Sequence, residues 1–520
     1  MQRSHVTYRF TCGNLVKDQD KIRIMNRQLY ASPPLLAGLI VAQAVATVQV
    51  YLSNTGLYRT LEMIQGSGYL PVPNELVMPR LQQIGPALFG GLFFTLSLGA
   101  AISLVSMAAA WARERFFRRK RILPVLYSIC WLGILIAVNF RGLDLMASVY
   151  FVLIPPLVFK TALRRLPPPA RRSAGYGRLI PVAPVFLLAI LWLPHLDGHL
   201  FGEIRDRLLL SNQIGQKINQ FYYDYTLYAA EVFKSLDQKT LKTCNLGEVG
   251  RKPVARALER EFLKQDYLNR GSDGVADLQV TEAGDGFIMT HRGTPVMATT
   301  LKDLLSRTGP VLKEVSLKVD RLAFFRKVIF LSLLIALPVI LYVFFFDLFR
   351  FGFSFALGAG RASPAAALVC FCMGAGLLAV FSLNSGGKSD EAGLVRALES
   401  ENLYDRVAAL KIIEAKGLEI GGFAAYEALR SSPHIVERYR LVRTLGVSRQ
   451  PRTYRDLLGF LDDPHLNVVC MAYEALGRRG DRRAVPEILS RIKTSRHWYA
   501  QWYAYRALRA LGWRQTRTKD

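Results

Sequence analysis

Acidic residues are scarce in this 520-residue chain: 40 Asp and Glu stand against 67 Lys and Arg, a formal charge of +27. Cysteine is scarcer still, with six in the whole sequence, which excludes the disulfide-dense scaffold of a small secreted protein. No H-E-x-x-H, G-x-S-x-G or G-x-x-x-x-G-K-S/T pattern occurs, so zinc-protease, hydrolase-elbow and P-loop chemistry have no anchor. The composition also excludes collagen, a coiled coil and a disordered chain. Apolar residues, in contrast, are plentiful at 51%, and the mean hydropathy is positive. A high apolar share combined with a large positive charge fits apolar blocks separated by basic loops, the pattern of a multi-pass membrane protein.

A bilayer core needs a helix of about 20 predominantly apolar residues. Seven blocks meet that need: Leu35–Leu52, Pro86–Ala112, Ile122–Phe140, Leu145–Leu163, Leu179–Leu196, Val328–Phe346 and Pro364–Leu383. Pro155 and Pro156 inside the fourth block predict a kink or local irregularity, because proline removes a backbone donor. Orientation follows from the basic residues of the short loops. The N-terminal tail, 113–121 and 160–178 each carry six Lys or Arg, whereas 53–85 and 141–144 together carry three. The N-terminus is therefore expected in the cytoplasm. Five crossings then put residues 197–327 outside it, and two more do the same for the C-terminal part. The first block follows too long a polar tail for a cleaved signal and is read as a retained anchor.

Residues 197–327 read as a small α/β unit. Helical periodicity runs through Ile204, Leu208, Ile214, Ile218, Phe221, Tyr225, Tyr228, Val232 and Leu236, predicting one long amphipathic helix or a broken pair. A further helix is expected near Pro253–Gln265, then short strands around Asp277–Thr281, Phe287–His291 and Pro295–Thr299. The run Phe221, Tyr222, Tyr223, Tyr225 and Tyr228 reads either as a docking surface or membrane-interface belt, or as packing of one helix face.

From about Asp390 the chain turns Ala-, Leu- and Arg-rich, and it repeats. Similar helical segments end at 414, 446, 477 and 512, steps of 32, 31 and 35 residues, the signature of an α-solenoid with two helices per unit. The third unit reads Asp462-Asp463-Pro464, then Ala475-Leu476-Gly477, then Gly480-Asp481-Arg482-Arg483-Ala484-Val485-Pro486-Glu487-Ile488-Leu489. It resembles the short bacterial HEAT repeat, also found in phycobilisome-lyase-like proteins. The resemblance covers roughly the last quarter of the chain and implies a protein-interaction surface; it carries over no lyase activity and no chromophore-handling residues. In the pattern, Leu-Gly is read as a helix end and Pro486 as a helix first turn.

The fold class expected is thus a multi-pass α-helical membrane protein of about seven transmembrane helices, with a small extracytoplasmic α/β domain and a C-terminal α-solenoid of HEAT-like repeats. Its divisions are a cytoplasmic tail (1–34), five transmembrane helices (35–196), the α/β domain (197–327), two transmembrane helices (328–383) and the solenoid (384–520). The bacterial inner membrane is the expected location.

Chemical signals are few. His195, Asp197 and His199, at i, i+2 and i+4, form a weak candidate for zinc or a similar ion, or else a polar interfacial turn; a third strong ligand is not indicated. No cofactor is called for and no catalytic residue is assigned. Cys244 and Cys470 are the two cysteines expected in outer regions and hence able to pair. Small-residue stripes, Gly38/Ala42/Ala46 and Gly91/Thr95/Gly99/Ser103, point to close helix packing within the bundle or between copies. The basic clusters beside helix ends serve topology and anionic lipid heads, not nucleic acid. In the last repeat, Trp498, Tyr499, Trp502, Tyr503 and Arg506 are the candidate partner-binding residues, being the types that dominate hot spots. The alternative there is a cap whose aromatics seal the core or rest on the membrane. The function expected is a membrane scaffold or assembly protein that binds protein partners through its repeats. A transporter or channel component, or a membrane-embedded enzyme, is the alternative.

Overall fold

The computed structural model describes residues 31–115, 122–140, 142–166, 180–270, 276–382 and 391–517. The N-terminal basic tail with Cys12, the arginines at 118–121 and 171–178, and the end of the chain lie outside the described residues. In chain order the first helices are α1 (Ser32–Gly66), α2 (Ile84–Glu114), α3 (Ile122–Asn139), α4 (Leu145–Arg165) and α5 (Ala183–Trp192). Next come α6 (Gly198–Ile204), α7 (Gln213–Ala230), β1 (Lys242–Asn245), α8 (Lys252–Leu263) and β2 (Tyr267–Asn269). Then follow β3 (Leu278–Ala283), β4 (Gly286–His291), β5 (Thr294–Thr300), α9 (Leu301–Ser306), α10 (Thr308–Val319), α11 (Ala323–Gly358) and α12 (Gly360–Val380). The remainder is four helix pairs: α13 (Glu391–Leu398) with α14 (Leu403–Lys416), α15 (Tyr426–Arg430) with α16 (Ile435–Leu445), α17 (Pro451–Gly459) with α18 (Leu466–Arg479), and α19 (Val485–Thr494) with α20 (Trp498–Ala510).

Two compact units divide these elements. The first takes the described residues within Met1–Gln49, Gly91–Leu200 and Phe324–Leu383; the second takes those within Val50–Gly90, Phe201–Ala323 and Asn384–Asp520. The segments read from sequence as an α/β domain and a solenoid thus belong to one unit, together with the connection after α1.

Within the first unit, the two small-residue stripes face each other. Ala42 and Ala46 are fully buried, and a Cβ on Gly99 would collide with Ala42 while one on Gly91 would lie 3.1 Å from the backbone of Thr47. Packing this close lets the α1 and α2 backbones approach and brings Gln43 Oε1 to the Thr95 hydroxyl at 2.8 Å. Thr95 to Gly99 form a π turn at this contact, a local widening that places Thr95 and Ser97 inward. Tyr150 of α4 donates to Gln49 at 3.1 Å, and Asn139 at the end of α3 donates to Ser148 at 2.8 Å. Gln43, Thr95, Gln49, Tyr150, Asn139 and Ser148 thus join neighbouring helices.

Helix α4 is continuous from Leu145 to Arg165 with Pro155 and Pro156 inside it, and the Pro155 carbonyl accepts from Tyr127 of α3 at 3.1 Å. Three sequence expectations change. The sixth block does not stop at Phe346: α11 continues to Gly358, whose φ of 73° breaks the run, and so brings Asp347 inside. There Asp347 accepts from the Ser32 backbone at 3.0 Å and hydroxyl at 2.7 Å, a carboxylate at the N-terminus of α1. The fifth block gives only the ten-residue α5, which Pro184 starts late and a short 3-10 turn at Leu193–His195 ends. Among the described residues, six helices are long and apolar enough to cross a membrane, and the broken pair Ala183–His195 with Leu200–Leu209 is a seventh candidate. Cys244 and Cys470, finally, are both free, buried thiols.

In the second unit, the three expected strands are β3 to β5, an antiparallel meander joined by turns at Gly284 and Gly293, both at positive φ. Strands β1 and β2, absent from the sequence reading, pair in parallel across the α8 crossover and give the order β2-β1-β3-β4-β5. Helices α8, α9 and α10 cover this sheet over Leu258, Phe262, Leu304, Leu312 and Val315. Asp277 ties β1 to the start of β3 by accepting from the Thr243 backbone at 3.0 Å and from Lys239 at 2.7 Å. Burial alone would raise its pKa, but Lys239 and Thr243 outweigh burial and hold it low.

Candidate functional site

The helix pairs of 391–517 stack because small residues recur at the repeat interval. A Cβ on Gly446 of one pair would lie 3.1 Å from Ala475 of the next, and one on Gly477 would lie 3.2 Å from Ala507. The glycines of the Leu-Gly signature thus let neighbouring units close together. They do not end helices by a left-handed turn: Gly446 is right-handed and Gly477 is inside α18. That turn belongs to Gly417, Gly480 and Gly512, with φ of 65°, 76° and 83°. Pro451 and Pro486 occupy first turns, where their missing N–H costs nothing. Ion pairs link successive units, among them Arg443 to Glu414 at 2.9 Å, Arg438 to Asp463 at 2.8 Å and Arg491 to Asp462 at 2.6 Å.

The second helices of the pairs (α14, α16, α18 and α20) present a face made of Lys411, Tyr439, Arg440, Asn467, His497, Trp498 and Tyr499. The chain's own segment 203–228 lies against it. Arg440 donates to Asp206 through Nε at 3.0 Å, and Lys411 reaches the same carboxylate at 2.9 Å. Arg205 donates to the Tyr439 hydroxyl at 2.9 Å, with its guanidinium 4.6 Å from the centre of that ring. Asn219 donates to Asn467 at 2.6 Å, both buried. Asp224 meets His497 Nε2 at 2.8 Å. The Tyr223 and Tyr499 ring centres are 4.7 Å apart, and Tyr228 meets Trp498 edge-on at 5.0 Å.

Charge burial at this contact is heavy and compensated. Asp206 is 1% exposed and Arg440 is 7% exposed. Burial would raise the Asp206 pKa, but Arg440, Arg205 and Lys411 together bring it below the ordinary aspartate value. Glu203 follows the same logic: burial opposes ionisation, and Lys411 and Arg207 overcome it.

Two more segments close the end of the stack. Asn74 donates from Nδ2 to the carbonyls of Ile492, Lys493 and Ser495 at 3.0, 3.0 and 3.1 Å, capping the orphan C-terminal groups of α19. Its backbone N–H donates to Gln501 at 2.8 Å. Gln515 exchanges two hydrogen bonds with the Leu70 backbone, and Arg517 donates to Tyr69 at 2.9 Å. From the sheet, Asp266 accepts from Tyr505 at 2.6 Å and from Arg509 at 3.0 Å.

The residues singled out from sequence separate into two groups. Trp498 and Tyr499 are buried under α7. Trp502 and Tyr503 are half-buried, and Arg506 is exposed with its guanidinium 4.6 Å from the Trp502 ring centre and 5.7 Å from that of Tyr503. Of the metal candidates, Asp197 accepts from the Leu200 N–H at 2.9 Å as a helix cap, and His195 Nδ1 is 3.1 Å from the Leu191 carbonyl. His199 belongs to α6. Among the described residues, no group of three His, Cys, Asp or Glu side chains is placed to hold a metal. The Tyr run of α7 and the Trp498/Tyr499 pair of α20 were the sequence signals for this contact; Asn74, Asp206 and Arg440 carried none.

Residues 424–509 match the family model of HEAT repeats, the stretch from just before α15 to the end of α20. That assigns the repeat class, and HEAT repeats suggest a role in protein–protein interaction. No curated protein and no solved structure matches the chain.

Proposed function

We propose that this is an integral membrane scaffold or assembly protein of the bacterial inner membrane, presenting a HEAT-repeat body outside the cytoplasm. The observation that carries the reading is the union of helices long enough to span a bilayer with HEAT repeats whose second-helix face is locked onto the chain's own α6–α7 segment. With that face occupied, the surface left for a partner is the half-exposed Trp502, Tyr503 and Arg506 cluster, where a cation over two aromatic rings offers the composition of a binding hot spot.

Parity supports the topology. Asn74 after α1, Asp206 after α5 and Arg440 after α12 all belong to one hydrogen-bonded unit, so their segments share a side of the membrane. Helices α11 and α12 supply an even number of crossings between 323 and 391. Between 83 and 201, α2, α3 and α4 supply an odd number, so on this reading the segment of α5 and the turn after it, Ala183–His195, is taken as the fourth crossing. Trp192 bonded to the Gly374 carbonyl at 3.2 Å and Tyr342 to that of Pro181 at 2.7 Å supply polar anchors for such a short helix. On this reading the basic segments 113–121 and 160–178 are cytoplasmic, beside anionic lipid heads.

Purification in mild detergent tests the function. A stoichiometric protein partner that is lost in the Trp502→Ala/Arg506→Ala double variant is expected. A solitary protein that moves a solute in liposomes would replace the scaffold reading with a transport one.

A further inference from the structure

Helix α7 has two faces, and the repeats take only one of them. Asn219 and Tyr223 point to Asn467 and Tyr499. Ile214, Ile218, Phe221 and Tyr225 fall at i, i+4, i+7 and i+11, a single stripe on the side of the helix away from Tyr223. Ile214 is 75% exposed and Ile218 57%. Leaving two isoleucines in water forfeits on the order of 1–2 kcal/mol each. Among the described residues of 231–323 and 391–517, the large exposed hydrophobics are three scattered ones, Leu305, Leu317 and Val395, rather than a stripe.

The apolar stripe continues onto the start of α2. Phe89 stands 5.9 Å from Phe221 and 4.8 Å from Tyr225, ring centre to ring centre, and Gly90 is bare enough that a Cβ there would lie 3.3 Å from Tyr228. Ile84 and Leu88 extend it as further exposed apolar residues. These residues begin a helix that is itself long and apolar enough to span a bilayer. The charges of α7 suit the same surroundings. Its one acid, Asp224, is turned onto His497, while Lys217 is exposed beside the stripe and Tyr222 and Tyr225 add rings with hydroxyls.

We propose that α7 lies in the outer lipid–water interface, its Ile214/Ile218/Phe221 stripe in the acyl boundary and its Tyr223/Asn219 side holding the HEAT repeats. The helix is thereby an interfacial amphipathic element that seats the repeat body on the bilayer, its depth set by contact with the entering turns of α2. The occupant is lipid, because the stripe is continuous with the surface of a spanning helix. This inference rests on the membrane reading above.

The test is photolabelling of the full chain in phosphatidylethanolamine/phosphatidylglycerol liposomes with a membrane-partitioned apolar diazirine, mapped by peptide mass spectrometry. Helix α3, whose residues are all unburied within the chain, is the positive control, and the peptides bearing Leu317 and Val395 are the negative ones. Labelling of 214–222 about threefold or more above the negative controls, alongside α3, is the expected result. Labelled α3 with 214–222 at background would overturn the inference and leave the membrane reading standing. Unlabelled α3 would overturn both.

Discussion

Asp206 and Arg440 are 234 residues apart in sequence, yet Arg440 Nε donates to the Asp206 carboxylate at 3.0 Å with both side chains buried. The bond joins the segment leading out of α5 to the second HEAT pair. A buried charge stripped of its partner is costly, so Asp206→Ala or Arg440→Ala should each lower stability by about 3–5 kcal/mol. Replacing both by apolar residues should cost less than the sum. Thermal unfolding in detergent, followed by the near-UV signal of the tryptophans, checks this.

Asp206 and its neighbour Glu203 also contribute to the response to acid. Asp206 and Glu203 both titrate below their ordinary values in the folded chain, Asp206 because three bases overcome its burial and Glu203 because Lys411 and Arg207 do. A group with a depressed folded pKa adds stability above its unfolded value and loses that stability as pH falls through the folded value. The melting temperature should therefore be flat from neutral pH down to the ordinary carboxylate range and fall below it. The Asp206→Asn/Glu203→Gln variant should show a weaker acid decline from a lower plateau.

Glycine placement separates packing from helix ending. Gly477→Val drives a branched side chain against Ala507 and should cost about 1–3 kcal/mol, loosening the last pair. Gly459→Ala, where nothing lies within 4 Å of the added carbon, should be neutral or gain up to about 1 kcal/mol. Hydrogen exchange across α20 distinguishes the two outcomes.

The helix pairs were legible because alanine, leucine and glycine recur at nearly fixed intervals, and β3 to β5 because alternation and turn residues sit close together in sequence. Strand β1 was not, since Lys242, Thr243 and Asn245 are polar yet buried, and Asp277 and the parallel neighbours hold it rather than any alternation. Asn74 and Asp206 look like ordinary loop polars; their roles depend on partners hundreds of residues away. The tryptophans of the last repeat drew notice by composition, but composition does not say which face of α20 meets α7.

That distinction predicts different behaviour for neighbouring residues. Trp498→Ala removes a ring packed on Tyr228 and should destabilise the unit by about 3–5 kcal/mol. Trp502→Ala and Arg506→Ala should leave the melting curve within about 1 kcal/mol of the parent while weakening partner retention. Parallel melting and co-purification of the three variants checks this.

Membrane-impermeant thiol labelling of Glu75→Cys, Lys302→Cys and Arg455→Cys in intact spheroplasts, with the unsubstituted chain as background, tests the central claim most directly. All three positions are exposed and belong to the unit that joins the connection after α1, the α/β sheet and the HEAT repeats. We expect all three to be labelled from outside. Labelling of any one of them only after the cells are opened would contradict a single extracytoplasmic body.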